Sequence, residues 1–330
     1  MAPRVYLIIL NWNGQQDTLA CLVSTQSIDY PALNIVVVDN GSRDDSVNAI
    51  QVAFPEVTVL ETGANLGYAG GNNVGIRHAL AQGAEYVFVL NNDTTVAPDI
   101  IRQFLRVAQS KPDAAFISPR IYEADRPNTI YYDGGMWDWQ TQCVRLLGKG
   151  NEDIGQAGVS ARETEIIHGC AVFFPVTTMS RIGLIDERFF LLFEETDWSF
   201  RAREAGLRNY VAPAAKVWHK GAASFGGRDT PLRHYFHTRN YLLWGERHLG
   251  RAAFYRLLAG RIFQDLFKFS QATVNLSLAD NMRRIYWNWR RALSSWQGRR
   301  SDPQFYAKWL GLRDYFLRRF GDCPAEVRSL

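Results

Sequence analysis

Four apolar runs near the start of the chain each end in amide, carboxylate or hydroxyl side chains. These polar groups lie at residues 11–14, 39–42, 61–65 and 91–93. They contain Asn11, Asn13, Asp39, Asn40, Asn65, Asn91, Asn92 and Asp93. An open α/β sheet binds ligands outside the carboxyl ends of its strands, so the groups predict a binding edge for a polar ligand. An ordinary turn explains any single group equally well, because Asn-Gly pairs favour turns, but four groups in register favour the binding edge.

A second acidic group lies later in the chain and consists of Glu194, Glu195 and Asp197. Residues 197–205 are predicted to form a helix, whose dipole favours anions at its start. A carboxylate at this place could accept a proton from a reacting hydroxyl. Alternatively, the two glutamates only stabilise the start of the helix, and Asp197 pairs with Arg201 four residues later.

The elements that must position these groups alternate in kind. Short runs rich in β-branched residues are typical of buried strands, and they lie at residues 5–10, 35–38, 57–60, 86–90 and 114–117. Helices are predicted between several of them, one opened by residues 44–46 and one by residues 98–99. Strands that are apolar on both faces and separated by helices predict an α/β fold with a mostly parallel sheet covered on both sides.

The pattern weakens after residue 120. Four further strands are predicted at residues 129–132, 143–147, 171–174 and 209–217. The first two are expected to form a hairpin around Gly134-Gly135, and His219 follows the last.

Composition excludes several classes of protein. With 330 residues, 47% hydrophobic and 21% charged, the chain is neither low-complexity nor fully disordered. Its four cysteines are far apart and form no C-x-x-C pair, so neither a disulfide framework nor a cysteine-built zinc site is predicted. The first apolar run is too short for a signal peptide, and no apolar run approaches the roughly 18 residues that cross a bilayer. A cytoplasmic protein with no integral membrane segment is therefore expected.

Charge and tryptophan content change near residue 230. Residues 231–330 hold 18 lysines and arginines against 7 aspartates and glutamates, a net charge of +11, whereas residues 1–230 carry −7. The basic part also holds five of the ten tryptophans. Apolar residues recur at helical spacing within residues 254–269 and 305–320, which predicts basic amphipathic helices. Their apolar stripes either pack internally, form a dimer interface, or lie on an anionic membrane surface.

Five motifs in the first two thirds of the chain occur in a fixed order. They are VVVDNGS at 36–42, NLGYAGGNNVG at 65–75, LNNDT at 90–94, IGLIDERFF at 182–190 and FEETDWSFRAR at 193–203. Together they resemble the family 2 glycosyltransferases with a GT-A fold, in particular the rhamnosyl- and galactofuranosyltransferases of bacterial surface polysaccharides. The resemblance covers roughly residues 4–225. It implies a GT-A catalytic domain at residues 1–230, followed by a basic, aromatic-rich helical region at residues 231–330.

The resemblance implies that the strand-end groups bind a nucleotide-sugar donor. Asp39 would accept hydrogen bonds from the nucleoside, and Asn65, Gly67 and Gly70 would form a loop over the nucleotide, where glycine allows close approach of the backbone. The implied donor-binding residues are Asn11, Asn13, Asp39, Asn40, Asn65, Gly67, Gly70, Asn91 and Asn92. A dinucleotide-binding fingerprint is a poor alternative, because these glycines do not fit G-x-G-x-x-G and follow the third apolar run.

The resemblance also implies a divalent cation, Mg²⁺ or Mn²⁺. Residues 91–93 stand at the family's D-x-D motif, and a hard cation with oxygen ligands neutralises the charge that gathers on a leaving diphosphate. Asp93 is the implied ligand, joined by His219, because relatives have a histidine ligand at the end of this strand. Asn91 replaces the family's first carboxylate, so weaker cation binding or ligation through His219 is expected.

Transfer with inversion needs a base that removes the proton of the acceptor hydroxyl as its oxygen attacks the anomeric carbon. The family's acidic pair aligns with Glu194 and Glu195, and its base with the second member. The implied base is therefore Glu195, with Asp197 as a substitute. The segment 168–170 falls in the region that lines the acceptor side, where Cys170 is expected to be a small buried residue rather than a nucleophile.

The resemblance thus implies an inverting hexosyltransferase. It would move a sugar from a nucleotide-diphosphate donor, dTDP-rhamnose or a UDP-sugar, to a hydroxyl of a glycan or lipid-linked glycan in polysaccharide or O-antigen-type synthesis. A catalytically inactive nucleotide-sugar-binding or scaffolding subunit is the alternative, motivated by Asn91. Because such acceptors are commonly lipid-linked, the basic tail fits the inner face of the cell membrane better than a nucleic acid.

Overall fold

The computed structural model describes residues 2–139, 141, 143–155, 160–221, 229–262 and 302–330. The chain divides into two compact units, residues 1–223 and residues 224–330. Charge and tryptophan content place the corresponding boundary near residue 230.

The strands belong to the first unit. They are β1 Val5–Asn11, β2 Leu33–Asp39, β3 Thr58–Glu61, β4 Tyr86–Asn91, β5 Thr94–Val96, β6 Ala114–Glu123, β7 Ile130–Tyr132, β8 Gly135–Asp138, β9 Cys143–Leu146, β10 Arg162–Thr164, β11 Ala171–Pro175 and β12 Arg208–His219. The helices of this unit are α1 Gln15–Gln26, α2 Ser46–Ala53, α3 Gly67–Ala81, α4 Ile100–Ser110, α5 Thr177–Ile182 and α6 Glu194–Glu204.

Ten of the described strands form one sheet, in the order β10-β12-β6-β11-β4-β1-β2-β3, with β5 paired to β12 and β7 to β6. β1 runs parallel to β2 and β4, β2 to β3, and β6 to β12. β11 runs antiparallel between β4 and β6. The longest pairings are therefore parallel, and the predicted mixed, mostly parallel sheet with flanking helices is confirmed.

Aromatic side chains fill both faces of the sheet at its centre. On one face, Phe173 stacks on Phe104 with ring centroids 4.9 Å apart, and Phe88 meets Phe104 at 5.1 Å. On the other face, Phe174 and Trp198 lie 5.2 Å apart. Successive residues of a strand point to opposite faces, so β11 ties both helical layers to the sheet through two neighbouring phenylalanines.

Three adjacent strands end at one edge of the sheet. Asn11 at the end of β1 is in register with Asp39 at the end of β2, and Leu10 is in register with Asn91 at the end of β4. Because these strands are parallel, residues far apart in sequence become neighbours at their carboxyl ends. This is the edge at which the sequence places its polar groups.

The hairpin predicted from residues 129–132 and 143–147 is wrong. β7 pairs with β6, whereas β9 pairs antiparallel with β8 at Gly135–Asp138. Gly135 lies within strand β8, in register with Leu146 of β9. Its N–H also donates to Thr164 Oγ1 at 2.8 Å, and its carbonyl accepts from the same hydroxyl. Because β6 extends to Glu123, its end is closer in sequence to β7 than β9 is, and β7 pairs with it.

The predicted glycine loop over the nucleotide is also wrong, because helix α3 begins at Gly67 and contains Gly70. Its glycines bring the helix close to its neighbours. A Cβ on Gly71 would meet the Leu10 side chain of β1, and one on Gly70 would lie 2.7 Å from Leu66 Cβ. Helix α6 likewise begins three residues before the predicted position, so both glutamates lie in its first turn.

The second unit contains α7 Pro231–His248, α8 Arg251–Arg261, α9 Pro303–Phe316 and α10 Ala325–Arg328. Helices α7 and α9 meet through a buried hydrogen bond of 2.8 Å from Tyr235 Oη to Asp314 Oδ2. Arg239, fully buried, donates to the carbonyl of Gly321 at 2.7 Å. α8 and α9 cover most of the two predicted amphipathic stretches, but residues 263–269 lie outside the described residues. No helix in the described parts of the chain combines the length and apolarity needed to cross a bilayer.

We expect Gly67→Ala to lower the free energy of unfolding by about 2–5 kcal/mol. Its φ of +72° costs an L-residue roughly 1–2 kcal/mol, and the added Cβ would collide with the Phe190 carbonyl and ring, an overpacking cost of about 1–3 kcal/mol. Gly63→Ala is the matched control, since Gly63 has the same φ of +72° and open space around it. Urea unfolding measures both variants, and equal losses would show that the Phe190 contact contributes nothing.

Candidate active site

Asp39 is held in a fixed orientation at the end of β2 and is 3% exposed. Its Oδ1 accepts from Asn11 Nδ2 at 2.8 Å, and its Oδ2 accepts from the backbone N–H of Ser42 at 3.0 Å. Thr18 Oγ1 donates to Asn11 Oδ1 at 2.7 Å, which turns the amide N–H₂ of Asn11 toward Asp39. A carboxylate oxygen can accept two hydrogen bonds. Each oxygen of Asp39 accepts one of the two bonds described above, so Asp39 retains capacity for a ligand.

The amide of Asn40 shapes the turn that leads into α3. Its Nδ2 donates to Asn65 Oδ1 at 3.0 Å and to the Gly67 carbonyl at 3.1 Å, and its Oδ1 accepts from the Leu66 N–H at 2.9 Å. Asn65 Oδ1 also accepts from the Gly67 N–H at 2.8 Å. Asn40 and Asn65 therefore position this turn, and the direct donor contacts predicted for them stay a prediction.

Two other predicted donor-binding amides are also engaged with the protein. Asn13 is exposed, and its Oδ1 accepts from the Arg43 N–H at 2.7 Å. Asn92 Nδ2 donates to Thr18 Oγ1 at 3.0 Å, so this side chain is turned toward α1. Asn91 is half-buried at the end of β4, beside β1.

Asp93 and His219 face each other because β5 pairs with the end of β12. Nε2 of His219 lies 3.2 Å from Asp93 Oδ1. Burial raises the pKa of the Asp93 carboxyl, but the contact with His219 and the charges of His219 and Lys220 outweigh it and hold that pKa below its ordinary value. The carboxyl is therefore ionised at neutral pH.

The residues present fit a hard divalent cation. Asp93 Oδ1 and His219 Nδ1 are buried polar atoms with no hydrogen-bond partner in the described residues, and a buried polar atom is normally satisfied. Within the ranges that the structure describes, no group of three or more His, Cys, Asp or Glu side chains could hold a metal ion. A cation here would take its remaining ligands from phosphate oxygens and water, as Mg²⁺ commonly does.

The acidic pair begins helix α6, and its two members differ in environment. Glu194 is 5% exposed, and its Oε2 is buried with no hydrogen-bond partner among the described residues. Burial and the neighbouring Glu195 raise the pKa of Glu194 well above its ordinary value. Glu195 is half-buried. The protonated form of Glu194 is thus favoured, and half-buried Glu195 is the pair's candidate base.

The loop that leads into the acidic pair is strained. Phe190, Leu192 and Phe193 have φ values of 63°, 71° and 73°, a region that non-glycine residues seldom occupy. Strained backbone of this kind persists only where surrounding packing over-determines it, and it concentrates at functional sites. The strain therefore supports a functional role for the helix start that follows.

Asp197 is fully buried and pairs with Arg201 Nε at 2.8 Å. Arg201 also donates to the carbonyls of Ile182 and Leu184, the latter at 2.9 Å. The alternative expectation of an Asp197–Arg201 pair is confirmed. Asp197 therefore fixes α6 against the segment before it, and we drop it as a substitute base.

Tyr68 is a site residue that the sequence patterns did not single out, although it lies between two glycines of the NLGYAGG motif. Its hydroxyl donates to the Gly169 carbonyl. Burial, Glu194 and Glu195 all raise the pKa of Tyr68, which places the ring beside the acidic pair. An aromatic hydroxyl among small residues was the only signal in the sequence.

The segment 168–170 connects the two acidic groups. The His168 and His219 ring centroids are 6.0 Å apart, and a Cβ on Gly169 would lie 3.6 Å from Glu195 Cβ. Burial, Asp93 and Glu195 raise the pKa of Cys170 well above its ordinary value. A thiol that keeps its proton is a poor nucleophile, so Cys170 acts as a buried spacer, as the sequence predicts.

The chain is similar to known proteins over this part of its length. A family model described as Glycosyl transferase family 2 matches residues 6–174. The low-salt glycan biosynthesis hexosyltransferase Agl10 of Haloferax volcanii is 27% identical over 217 residues, which cover 63% of this chain and 64% of that protein. The N-acetylglucosaminyl-diphospho-decaprenol L-rhamnosyltransferase of Mycobacterium tuberculosis is 26% identical over 248 residues, 66% of this chain and 76% of that protein. The chain thus spans just under two thirds of Agl10.

Among solved structures, the mannosyltransferase PcManGT from Pyrobaculum calidifontis, in complex with GDP-Man and Mn²⁺, matches with a TM-score of 0.56 at 16% identity. The match covers 97% of this chain and 88% of that chain. This likeness shows a shared fold, and the predicted GT-A class is confirmed.

We expect Glu194→Gln to gain stability relative to the wild type as pH rises. The folded pKa of Glu194 lies above its unfolded value, so the folded protein holds a proton that the unfolded chain releases, and wild-type stability falls as pH rises above the unfolded pKa. Glutamine cannot titrate, so the difference should grow by up to about 1.4 kcal/mol per pH unit between pH 5 and 8. Urea unfolding across this range measures it, with exposed Glu61→Gln as control. A difference that is constant with pH would mean that folded Glu194 is ionised.

Proposed function

Because the chain belongs to glycosyl transferase family 2, we propose that it is an inverting glycosyltransferase. It moves a sugar from a nucleotide-diphosphate donor to a hydroxyl of a glycan or lipid-linked glycan. The observation that supports the proposal is that Asp39 and Asp93 lie at or just after the carboxyl ends of parallel strands, while Asp93 and Glu195 both lie near enough to Cys170 to raise its pKa. The names of the relatives, a hexosyltransferase of glycan biosynthesis and a rhamnosyltransferase with a diphospho-decaprenol acceptor, support this class of reaction.

Each part of the edge has a task in the proposed reaction. Asp39, oriented by Asn11, binds the nucleoside through its remaining acceptor capacity. Asp93 and His219 would hold a divalent cation, which when bound would supply positive charge for the diphosphate. The acceptor oxygen attacks the anomeric carbon from the opposite face, the bond from that carbon to the diphosphate oxygen breaks, and Glu195 takes the acceptor proton. The products are the glycoside with inverted configuration and the nucleoside diphosphate.

The raised pKa of Glu194 matters for the base. If both glutamates were ionised, two adjacent carboxylates would repel each other, and such pairs share a proton instead. The raised pKa of buried Glu194 favours its protonated form, which would leave on half-buried Glu195 the negative charge that a base needs. Buried Glu194 thus helps half-buried Glu195 to act as the base.

Donor and acceptor identity are proposed from the relatives. A dTDP-rhamnose donor agrees with the rhamnosyltransferase relative, and a UDP-sugar is the other candidate. The alternative function, an inactive nucleotide-sugar-binding subunit, rests on Asn91 in place of a carboxylate. Slow donor hydrolysis by the purified protein discriminates, since a mere binder releases no nucleoside diphosphate.

The basic tail extends the proposal to location. Its net charge of +11 suits peripheral contact with an anionic inner leaflet, where a lipid-linked acceptor would reside. Contact with the membrane and dimerisation through the tail both stay predictions.

We expect Glu195→Gln to lower the turnover number by about 10²–10⁴, because the amide cannot accept the acceptor proton. The affinity for the donor should stay near that of the wild type. Glu194→Gln is the matched control and should lose far less, because glutamine resembles the protonated form of this residue. Release of nucleoside diphosphate from a panel of sugar nucleotides measures turnover. Full activity in Glu195→Gln would overturn the base assignment.

We expect chelation of divalent cations to abolish transfer. Without the cation, Asp93 and His219 cannot offset the negative charge on the departing diphosphate. Asp93→Asn should raise the Mn²⁺ concentration that gives half-maximal activity, since it removes a negatively charged ligand. Asp17→Asn removes the nearby half-buried carboxylate that pairs with Lys220 and should leave that concentration unchanged. Undiminished turnover in excess chelator would show that side chains neutralise the diphosphate.

A further inference from the structure

We propose that His168 donates a hydrogen bond from Nε2–H to a hydroxyl of the transferred sugar and thereby helps to select the donor. The inference rests on the proposed function and adds to it a residue that contacts the sugar rather than the nucleotide. It is built on the position of His168, the hydrogen bond at its other ring nitrogen and the packing of its ring.

The position of His168 is set by its neighbours on both sides. Its ring lies 6.0 Å from that of His219, on the side of the proposed diphosphate. The next residue, Gly169, packs against Glu195 and accepts the hydroxyl of Tyr68. In an in-line displacement, the sugar lies between the departing diphosphate and the base. The segment that carries His168 lies between these two groups, so the His168 ring, on the diphosphate side, borders the sugar.

The hydrogen bond at Nδ1 decides which ring nitrogen carries the proton. The backbone N–H of Cys170 donates to His168 Nδ1 at 3.3 Å. A nitrogen that accepts a hydrogen bond has no proton, so the neutral ring carries its proton on Nε2. In the part of the chain that the structure describes, no residue accepts a hydrogen bond from this Nε2. The half-buried ring thus offers one uncharged donor.

Aromatic neighbours fix the direction of that donor. The His168 ring centroid lies 5.4 Å from Tyr131, at an interplanar angle of 84°, and 5.5 Å from Tyr132. Tyr132 is fully buried, and its hydroxyl donates to the Ile166 carbonyl at 2.8 Å, so this wall is rigid. A donor held in place before the ligand arrives loses little entropy on binding.

An uncharged donor matches a sugar hydroxyl better than a phosphate. Phosphate oxygens carry full charge and are best matched by cations or charged side chains. Hydroxyl oxygens are neutral acceptors, and a site built to hydrogen-bond a hydroxyl rejects analogues that lack it. We therefore assign His168 to the sugar.

The test compares two variants that differ in where they place an amide N–H₂. His168→Gln places Nε2 near the position of the imidazole Nε2, whereas His168→Asn places its nitrogen near Nδ1. Calorimetry with Mg²⁺ measures the binding of dTDP, dTDP-L-rhamnose, UDP and UDP-galactofuranose. For the sugar nucleotide that the wild type binds, His168→Asn should lose about three- to tenfold in affinity, as one hydrogen bond implies. The affinity for the matching nucleoside diphosphate should not change, and His168→Gln should retain most of the sugar-nucleotide affinity.

The other outcomes overturn the inference in distinct ways. Equal losses for the sugar nucleotide and the nucleoside diphosphate would place His168 at the nucleotide or the cation. Equal losses in both variants would assign the effect to ring packing, and no loss in either would remove His168 from the site. If the wild type binds none of the four nucleotides, the proposed function itself fails. Far-ultraviolet circular dichroism confirms that both variants fold.

Discussion

The parallel pairing of β1 with β2 and β4 is the constraint on which the rest of the site depends. It sets Asn11 beside Asp39 and Leu10 beside Asn91, so that the chain emerges from three strands at one edge. The two phenylalanines of β11 clamp a helical layer to each face of the sheet behind that edge. The polar side chains at the edge are therefore held in place by a rigid, apolar sheet, as precise ligand contacts require.

Burial sorts the acidic groups by function. His219 and Lys220 offset the burial of Asp93 and lower its pKa, whereas burial and the neighbouring Glu195 raise the pKa of Glu194. Asp197 is buried more completely than either and is balanced by Arg201. Three carboxylates that look alike in sequence thus differ in the folded chain: one has a lowered pKa beside a histidine, one has a raised pKa beside a glutamate, and one forms a buried ion pair.

Most of the fold was predictable from the sequence, because short β-branched runs and helical spacing reflect local rules that survive packing. The failures share one cause. Gly67 and Gly70 are predicted to form a loop over the nucleotide, yet both lie in helix α3, where an added Cβ would meet Phe190 or Leu66. The pairing partner of β7 depends on how far β6 extends, and no local sequence pattern predicts that length.

The sequence by itself determined the family, the order of its motifs and the residue types available for chemistry, because these are properties of the chain in one dimension. Only the tertiary structure decided which amides orient Asp39, which shape turns, and that Asp197 is committed to Arg201. It also decided which nitrogen of His168 carries the proton. Each of these depends on a hydrogen-bond partner brought close by folding, and a side chain's role follows from that partner more than from its own type.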